Sequence, residues 1–347
     1  MKYIIVLGIQ NSGSSAIHDY LADRNDCEIP FGANEFKLSV DPMGLHNLYL
    51  NFYKNFSFMS ASNASYDFLN YTNQLENYSV YVSQGIKKKL YHKNFDILSK
   101  NFIDKVTKSK FYGRPEFSNF KISKFENFLQ KIKKNYYSFF PIIIPQKKEK
   151  FIIEAKKYIN NIMENNLQKK LKKNSNIILN QAINIFDPIE SSNYFENRKI
   201  IYVTRDPRDM FSSMKSHQSG ASPCENVNLF IEWYKHYFDN DNFRKNLNHK
   251  DVLHVKFKDF VLNFDKENLR ICKFLGIKSK FKFKKNNRLF DLRVSRKNLT
   301  KYINYLSKYE NNLIKKKIKK ISSTIIDFKF LWIIILKIKL KPKFYLI

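Results

Sequence analysis

The chain contains few cysteines, and their positions argue against the sites that depend on them. Only three occur in 347 residues, Cys27, Cys224 and Cys272, and no two of them form a C-x-x-C pair. A zinc knuckle needs such paired ligands, and a disulfide scaffold needs a denser, even set. The sequence therefore predicts no metal site and a protein of a reducing compartment.

Glycine, proline and long apolar runs are also scarce. Eight Gly and nine Pro are too few for a collagen-like or low-complexity chain. The longest uninterrupted apolar run, Phe330 to Leu336, falls far short of the roughly 20 residues that span a bilayer. The N-terminal run Tyr3 to Leu7 leads into a Gly/Ser loop without a small-residue cleavage site, which predicts a first β-strand and not a secretion signal.

Acidic residues are outnumbered two to one. The chain has 62 Lys and Arg against 31 Asp and Glu, a formal net charge of +31. This excess favours an anionic partner such as a nucleotide, an acidic glycan, lipid headgroups or nucleic acid, although AT-rich codon usage would also enrich Lys on solvated surfaces. Because 43% of the residues are hydrophobic, the chain has enough apolar material for a sizeable core.

Strands alternate with helices at both ends of the chain. We predict strands at 3–7, 176–184, 199–204 and 251–256, and helices at 14–21, 148–172, 227–238 and 265–275, the last of them stopped by Gly276. This alternation predicts an α/β fold with a central parallel sheet and helices on both faces. Ligands of such sheets bind at the carboxyl ends of the strands.

The loop after the first strand is rich in glycine and serine. Gly8-Ile-Gln-Asn-Ser-Gly-Ser-Ser15 separates the strand from the first helix. Small residues let backbone N–H groups converge on a phosphate at a helix N-terminus, where the helix dipole adds positive charge. The spacing matches a Walker A loop except that Ser14 replaces the lysine, which argues against ordinary NTP hydrolysis. A serine-rich helix cap without a ligand is the alternative.

A second candidate loop follows the strand at 199–204. It reads Arg205-Asp-Pro-Arg-Asp-Met-Phe-Ser-Ser213, so an arginine ends the strand and a serine lies eight residues further, inside the next helix. Arg205 and Ser213 could grip one phosphate together through a charged fork and a hydroxyl donor. Arg208 and Asp206 are predicted to pair with each other or with the chain. A surface salt-bridge cluster is the alternative for this segment.

Taken together, the two loops resemble those of the sulfotransferases that use 3′-phosphoadenosine-5′-phosphosulfate (PAPS). The stretch Val252-Leu-His-Val-Lys-Phe-Lys-Asp-Phe, running on to Lys273-Phe-Leu-Gly276, resembles a later signature of that family. The resemblance covers about residues 1–40 and 176–300. It implies a three-layer P-loop-like α/β fold, PAPS as the donor and no metal. It also implies that Asn11, Ser12, Gly13, Ser14 and Ser15 hold the 5′-phosphosulfate and that Arg205 and Ser213 hold the 3′-phosphate.

Two positions depart from the family pattern. Many members carry a cation at the place of Asn11, and an acidic residue is usual where this chain has Lys258. Asn11 can donate a hydrogen bond to a sulfuryl oxygen but cannot neutralise its charge. This departure leaves a degenerate member, which binds the nucleotide without turnover, as an alternative.

Two further segments carry roles that the resemblance implies. Ala33-Asn-Glu-Phe-Lys37 is similar to a segment of the glycan sulfotransferases whose glutamate is the general base, so Glu35 is the candidate base and Lys37 a compensating cation. Asp41, His18 and His46 are weaker candidates. Val294-Ser-Arg-Lys-Asn298 resembles a basic segment that folds over the nucleotide, which makes Arg296 and Lys297 candidates for the 3′-phosphate.

The resemblance also implies a domain organisation. We predict a single sulfotransferase-like domain over 1–347, with a mainly helical insertion at 50–175 that supplies acceptor-binding elements and contains an extended connector at 141–145. The aromatics Tyr78, Tyr81, Tyr136 and Tyr137 could stack on sugar rings, although most aromatics of the insertion are expected in the core. The basic and apolar segment 310–347 fits contact with an anionic membrane through 313–347, or equally a buried helix or strand.

These features predict a sulfotransferase that moves a sulfuryl group from PAPS to a hydroxyl of a glycan or glycolipid. The predicted location is the cytoplasm, and a place at the inner face of the membrane is the more specific expectation. A P-loop kinase of nucleotides or small molecules is the alternative within the enzymes. A basic nucleic-acid-binding protein is the alternative outside them, although no recognised nucleic-acid-binding motif is evident and no specific nucleic-acid partner is predicted.

Overall fold

The computed structural model describes residues 1–83, 86–113, 115, 121, 140–217, 222–240, 245–282 and 289–318. Its strands are β1 (Lys2–Gly8), β2 (Cys27–Glu28), β3 (Ser79–Ser83), β4 (Ile86–Lys89), β5 (Thr107–Gly113), β6 (Phe140–Pro145), β7 (Asn176–Asn180), β8 (Arg198–Thr204) and β9 (Val252–Lys256). The helices of the first 200 residues are α1 (Ser14–Ala22), α2 (Leu45–Tyr53), α3 (Phe58–Asn77), α4 (Phe95–Val106), α5 (Lys148–Leu167) and α6 (Pro188–Ser191). The later helices are α7 (Pro207–His217), α8 (Val227–Asp239), α9 (Phe257–Leu262), α10 (Phe264–Leu275), α11 (Leu292–Lys297), α12 (Tyr302–Tyr305) and α13 (308–318).

Five strands form the central sheet, in the order β2-β7-β1-β8-β9. β2 pairs with β7 in parallel, and β8 pairs with β9 in parallel with Ile200 opposite Val252. The prediction of an α/β fold around a central parallel sheet is confirmed. The strand predicted over 176–184 is shorter, since β7 ends at Asn180.

The chain divides into two compact units, and β1 contributes to both. The first unit comprises residues 1–5, 25–184 and 189–198, and the second comprises 6–24, 185–188 and 199–347. In the first unit, aromatic rings of α3, α4 and α5 form the core. Phe102 stacks on Tyr158 with ring centroids 4.7 Å apart, and Phe68 packs edge-on against both. Such pairs add to the free energy gained by burial, which explains why so many aromatics occur in this part of the chain.

The segment 141–145, predicted as an extended connector, is part of a two-stranded antiparallel sheet in the first unit. β6 pairs antiparallel with β5, and its prolines stand opposite Tyr112 and Thr107. A proline has no N–H to give to a ladder, so it is tolerated only at positions that need no second partner, such as strand ends and edges. The two prolines lie near the two ends of β6, and the apolar residues Ile142 and Ile143 between them are buried.

In the second unit, Tyr20 of α1 anchors the helices that follow β9. Its ring makes edge-on contacts with Phe260, Phe264 and Phe290 at centroid distances of 5.7, 5.2 and 5.6 Å. α10 ends at Gly276 in the left-handed conformation, φ 61°, as the sequence predicts for a glycine helix stop. Among the helices that the structure describes, none has both the length and the apolar composition needed to span a bilayer.

Candidate functional site

The loop between β1 and α1 has the backbone of an anion-binding loop. Asn11 and Gly13 both adopt left-handed conformations, with φ 62° and 88°. Ser12 N donates to Ile9 O at 2.9 Å and closes the turn over residues 9–12. Gly13 is the N-cap of α1, so no side chain occupies the N-terminal end of the helix as a cap. Asparagine is among the few non-glycine residues that adopt this conformation readily, which explains Asn11 at its position. The loop therefore presents the N-terminus of α1 to a cavity.

Arg205, at the carboxyl end of β8, joins this loop to α7. Its Nη1 donates to the carbonyl oxygen of Asn11 and to Ser213 Oγ, both at 3.1 Å, and its Nη2 donates to the carbonyl oxygen of Asn298. The guanidinium carbon lies 5.4 Å from the centre of the Phe257 ring. Residues that are 194 positions apart in the sequence thus meet at one guanidinium, and the structure brings Arg205 and Ser213 together as their spacing predicts.

Around Arg205 lies a cavity of about 260 Å³ within the second unit. Four of the five predicted loop residues line it, as do Arg205 and Ser213; the fifth, Ser12, is buried and is not a lining residue. The lining residues are Asn11, Gly13, Ser14, Ser15, Ala16, Arg205, Ser213, Phe257, Ser295 and Asn298. Every polar side chain among them can donate a hydrogen bond, and none is acidic, so the chemistry of the cavity suits an anion.

Three buried polar atoms at this site have no hydrogen-bond partner among the described residues. They are Asn11 Nδ2, Ser12 Oγ and Arg205 Nε. A buried donor without a partner costs about 1–3 kcal/mol, and native proteins rarely leave several together. Burial also lowers the pKa of the Arg205 guanidinium, against the opposing charges of Asp209 and Asp206. Unpaired donors and a partly desolvated cation are the features expected of a site that gains its partners when an anion binds.

The segment 294–298 contributes two lining residues that the sequence did not single out. Ser295 and Asn298 face the cavity, whereas Arg296 and Lys297, the predicted phosphate contacts, are exposed. The missed signal is helical spacing: Ser295 of α11 and Asn298, the C-cap of that helix, are three positions apart and share a face, while the two residues between them lie on another.

The pairing predicted between Asp206 and Arg208 is confirmed. Arg208 Nη2 lies 2.6 Å from Asp206 Oδ2, and the guanidinium stacks on the Tyr302 ring at 4.0 Å. The Arg208 guanidinium is therefore engaged by Asp206 and Tyr302, and none of these three residues lines the cavity.

In the first unit, Glu35 and Lys37 form an ion pair of 2.5 Å, and both side chains remain more than 40% exposed. Glu35 lies beside Asn180 in a parallel bridge, and Phe36 N donates to Asn180 O at 3.0 Å. Burial lowers the pKa of Lys37, but the hydrogen bond and charge of Glu35 outweigh it, so that pKa is raised overall. The chain at 35–36 is thus fixed at the carboxyl end of β7 while the carboxylate stays accessible.

The weaker candidate bases are engaged in other contacts. Asp41 accepts a hydrogen bond from Tyr71 OH, His18 contacts Asp19, and His46 contacts Tyr194 OH at 2.9 Å. Burial lowers the pKa of His46. Among the aromatics named for sugar stacking, Tyr78 is exposed, while the side chains of Tyr81, Tyr136 and Tyr137 lie outside the described residues.

Within the described ranges, no group of three or more His, Cys, Asp or Glu side chains could hold a metal ion. The segment 313–347, predicted to contact a membrane, lies outside the described residues from 319 onward.

Comparison with known proteins gives one family. The model described as "Sulfotransferase family" matches residues 4–281. No curated protein matches the chain. Among solved structures, the sulfotransferase domain of the curacin biosynthetic pathway is 14% identical with a TM-score of 0.39, covering 92% of this chain and 97% of that one. A sulfotransferase from Alicyclobacillus acidocaldarius is 10% identical with a TM-score of 0.37, covering 93% and 94%. Retinol dehydratase, in complex with androsterone and the inactive cofactor PAP, is 14% identical with a TM-score of 0.34, covering 92% and 80%.

Proposed function

Since the chain belongs to the sulfotransferase family, we propose that it transfers the sulfuryl group of PAPS to a hydroxyl of a glycan or glycolipid. The observation that carries the donor assignment is a cavity without acidic lining residues, two of whose lining residues carry buried donors, Asn11 Nδ2 and Arg205 Nε, that have no partner among the described residues. PAPS carries a phosphate at the 3′ position of its ribose and a phosphosulfate at the 5′ position. The cavity offers two sets of donors, one from the loop and the N-terminus of α1, the other from Arg205 and Ser213.

The residues present fit the donor. Arg205 and Ser213 would hold the 3′-phosphate through a charged fork and a hydroxyl, since they already lie 3.1 Å apart. The loop of Asn11, Ser12, Gly13, Ser14 and Ser15, with the N-terminus of α1, would hold the 5′-phosphosulfate. Arg296 and Lys297, exposed on α11, would add longer-range attraction to the 3′-phosphate. When bound, PAPS supplies a sulfuryl group on a good leaving group, so no metal is required.

The remaining chemistry is a proton transfer. We assign it to Glu35, whose carboxylate would accept the proton of the acceptor hydroxyl as the oxygen attacks sulfur, with Lys37 providing positive charge beside it. The Glu35–Lys37 ion pair and the backbone bridge from Glu35 to Asn180 support this assignment, because they hold an accessible carboxylate at the carboxyl end of β7 with a cation beside it. A cytoplasmic location and peripheral membrane contact through 313–347 complete the proposal.

Calorimetric titration tests the donor assignment. Purified protein is titrated with adenosine 3′,5′-bisphosphate, 5′-AMP and Mg²⁺-ATP in parallel. We expect micromolar binding that needs the 3′-phosphate, because Arg205 would donate a charged fork, and Ser213 a hydroxyl, to that phosphate. Equal affinity for 5′-AMP and the bisphosphate would contradict the assignment, and tighter binding of Mg²⁺-ATP would favour a kinase.

Asn11→Asp tests the role of the loop. The substitution keeps the shape and tolerates the left-handed backbone, but it replaces a donor by a negative charge at an anion site. We expect roughly 100-fold weaker binding of both 5′-AMP and the bisphosphate, from the lost charged hydrogen bond and the added repulsion. Asn94→Asp is the matched control, since Asn94 is also left-handed, φ 73°, and is the N-cap of α4, but it is not among the residues that line the cavity. Unchanged affinity in Asn11→Asp would remove the loop from the site.

Glu35→Gln tests the base. The acceptor is first identified with radiolabelled PAPS and a panel of a soluble oligosaccharide, a glycolipid in mixed micelles, a phenol and an aliphatic alcohol. With the best acceptor we expect kcat to fall by about 10²–10⁴-fold while the affinity for the bisphosphate is unchanged. Glu28→Gln is the control, since the partly exposed carboxylate of Glu28 also pairs with a lysine, Lys169, at 2.6 Å. A full kcat in Glu35→Gln would exclude it as the base, and turnover only with the phenol or alcohol would exclude the glycan assignment.

A further inference from the structure

Two buried aspartates hold the segment 289–302, called the strap below, on the two helices that line the cavity. Asp23, just after α1, accepts hydrogen bonds from Leu289 N and Phe290 N, both at 2.9 Å. Asp209, in the first turn of α7, accepts from Thr300 N at 3.1 Å and from Tyr302 N at 3.2 Å. Each aspartate is only 4% exposed. Both ends of the strap are therefore fixed by a carboxylate that receives two backbone amides.

The turn held by Asp209 is the one that contacts Arg205. The carbonyl oxygen of Asn298 accepts the hydrogen bond from Arg205 Nη2, two residues before Thr300. Arg205 is thereby held from three sides, by Asn11, Ser213 and the strap, and only its Nε lacks a partner among the described residues. The orientation of this nitrogen depends on where the strap places the Asn298 carbonyl.

The backbone of the same turn requires an external hold. Thr300 has φ 59°, a conformation that is costly for a β-branched residue. Such strain persists only where neighbouring contacts enforce it, and the bond from Thr300 N to Asp209 is such a contact. Tyr302 adds a second, through its stacking on Arg208. The carboxylate of Asp209 is thus required for a geometry that the turn would not adopt alone.

Asp209 itself is maintained in a costly environment. Burial raises the pKa of its carboxyl, against the lowering effects of the two amides and of Arg205, and the charge of Asp206 raises it further. An aspartate that served only as a helix N-terminal charge would be more stable in solvent. Its burial between α7 and the strap indicates a specific contact.

We propose that Asp209 is a positioning residue: it fixes the turn 298–302 so that the Asn298 carbonyl aligns Arg205 on the 3′-phosphate. The proposal rests on the proposed function, because it concerns the same phosphate. It adds a residue that touches neither the nucleotide nor the acceptor and acts through the strap.

Asp209→Asn is the direct test. The side-chain amide keeps the volume and one acceptor oxygen, but its NH₂ group faces the second backbone N–H. Two donors then face each other, and one of the two hydrogen bonds is lost. We expect roughly tenfold weaker binding of adenosine 3′,5′-bisphosphate, the effect of one lost charged hydrogen bond. Binding of 5′-AMP should change less than twofold, because it lacks the phosphate that Arg205 meets. Hydrogen exchange of the ligand-free variant should show faster exchange at Thr300 and Tyr302 than in the wild type. Asp265→Asn, an exposed carboxylate in the first turn of α10, is the control.

Thr300→Gly is the companion variant. It keeps the amide that Asp209 receives and removes the backbone strain, so bisphosphate affinity should stay within twofold of the wild type. If Asp209→Asn does not fold, the wild type still decides: exchange of the 300 and 302 amides at unprotected rates would overturn the proposal.

The outcomes separate the two levels of inference. If the wild type shows no preference for the bisphosphate over 5′-AMP, the proposed function fails. If the wild type shows that preference and Asp209→Asn keeps the same affinity and the same exchange rates, only the role of Asp209 is overturned. Equal loss of 5′-AMP and bisphosphate binding in Asp209→Asn would also overturn it, because the effect would then be general loss of the fold.

Discussion

Arg205→Ala should weaken the binding of adenosine 3′,5′-bisphosphate by about 100-fold or more and abolish the preference for it over 5′-AMP. The Arg205 guanidinium contacts the loop, α7 and the strap at once, through Asn11, Ser213 and Asn298. Its loss removes the charged donors aimed at the 3′-phosphate, and truncation of a partly buried charged partner costs about 2–5 kcal/mol. Calorimetry with both nucleotides measures the change.

Two further variants make this result specific. Arg205→Lys keeps the charge but not the planar fork, so we expect an intermediate loss of bisphosphate affinity. Arg270→Ala is the matched control: its guanidinium also donates to a side chain and to a backbone carbonyl, those of Glu267 and His254, but it lies outside the cavity lining. A bisphosphate preference that survives in Arg205→Ala would move the 3′-phosphate to another part of the protein.

The contrast with Asn11→Asp adds a test of which phosphate each group binds. Arg205→Ala should affect only the ligand with a 3′-phosphate, whereas Asn11→Asp should affect both nucleotides. If both variants weakened both ligands equally, the cavity would bind a single phosphate and the two donor sets would act as one.

The sequence predicted those parts of the site that depend on local spacing. A buried strand followed by a Gly/Ser loop and a helix needs only neighbouring residues, so α1 begins at Ser14 as expected. Arg205 and Ser213 are likewise eight residues apart across one helix start, and they meet at 3.1 Å. In both cases the covalent chain nearly determines the geometry.

The sequence did not predict what depends on distant partners. Which face of α11 meets the cavity is set by packing, so the serine and asparagine of that segment line the cavity while the more prominent cations Arg296 and Lys297 are exposed. The pairing of β6 with β5 likewise depends on residues some 30 positions away, which a proline-flanked run of isoleucines does not reveal. Asp23 accepts hydrogen bonds from strap residues more than 260 positions away in the sequence, and a single aspartate gives no sequence signal of such a contact.

Gly13→Ala should cause the second large effect, on both stability and binding. A Cβ at Gly13 would overlap the Phe257 ring, and the backbone φ of 88° is unfavourable for any residue with a side chain. We expect about 1–2 kcal/mol of strain from the backbone and about 1–3 kcal/mol from overpacking, together with loss of nucleotide binding because the loop must move. Denaturant unfolding followed by circular dichroism measures the loss of stability, and calorimetry measures the loss of nucleotide binding.

Gly32→Ala separates these two contributions. Gly32 has φ 60°, but nothing lies within 4 Å of a Cβ placed there, so that variant should lose only the backbone contribution of about 1–2 kcal/mol. Phe257→Leu in combination with Gly13→Ala should recover part of the lost stability, because the smaller side chain frees the space that the new methyl group needs. Equal destabilisation by Gly13→Ala and Gly32→Ala would show that the Phe257 ring moves aside freely. The close contact between Gly13 and Phe257 would then not fix the phosphate loop, and its left-handed turn alone would account for the requirement for glycine.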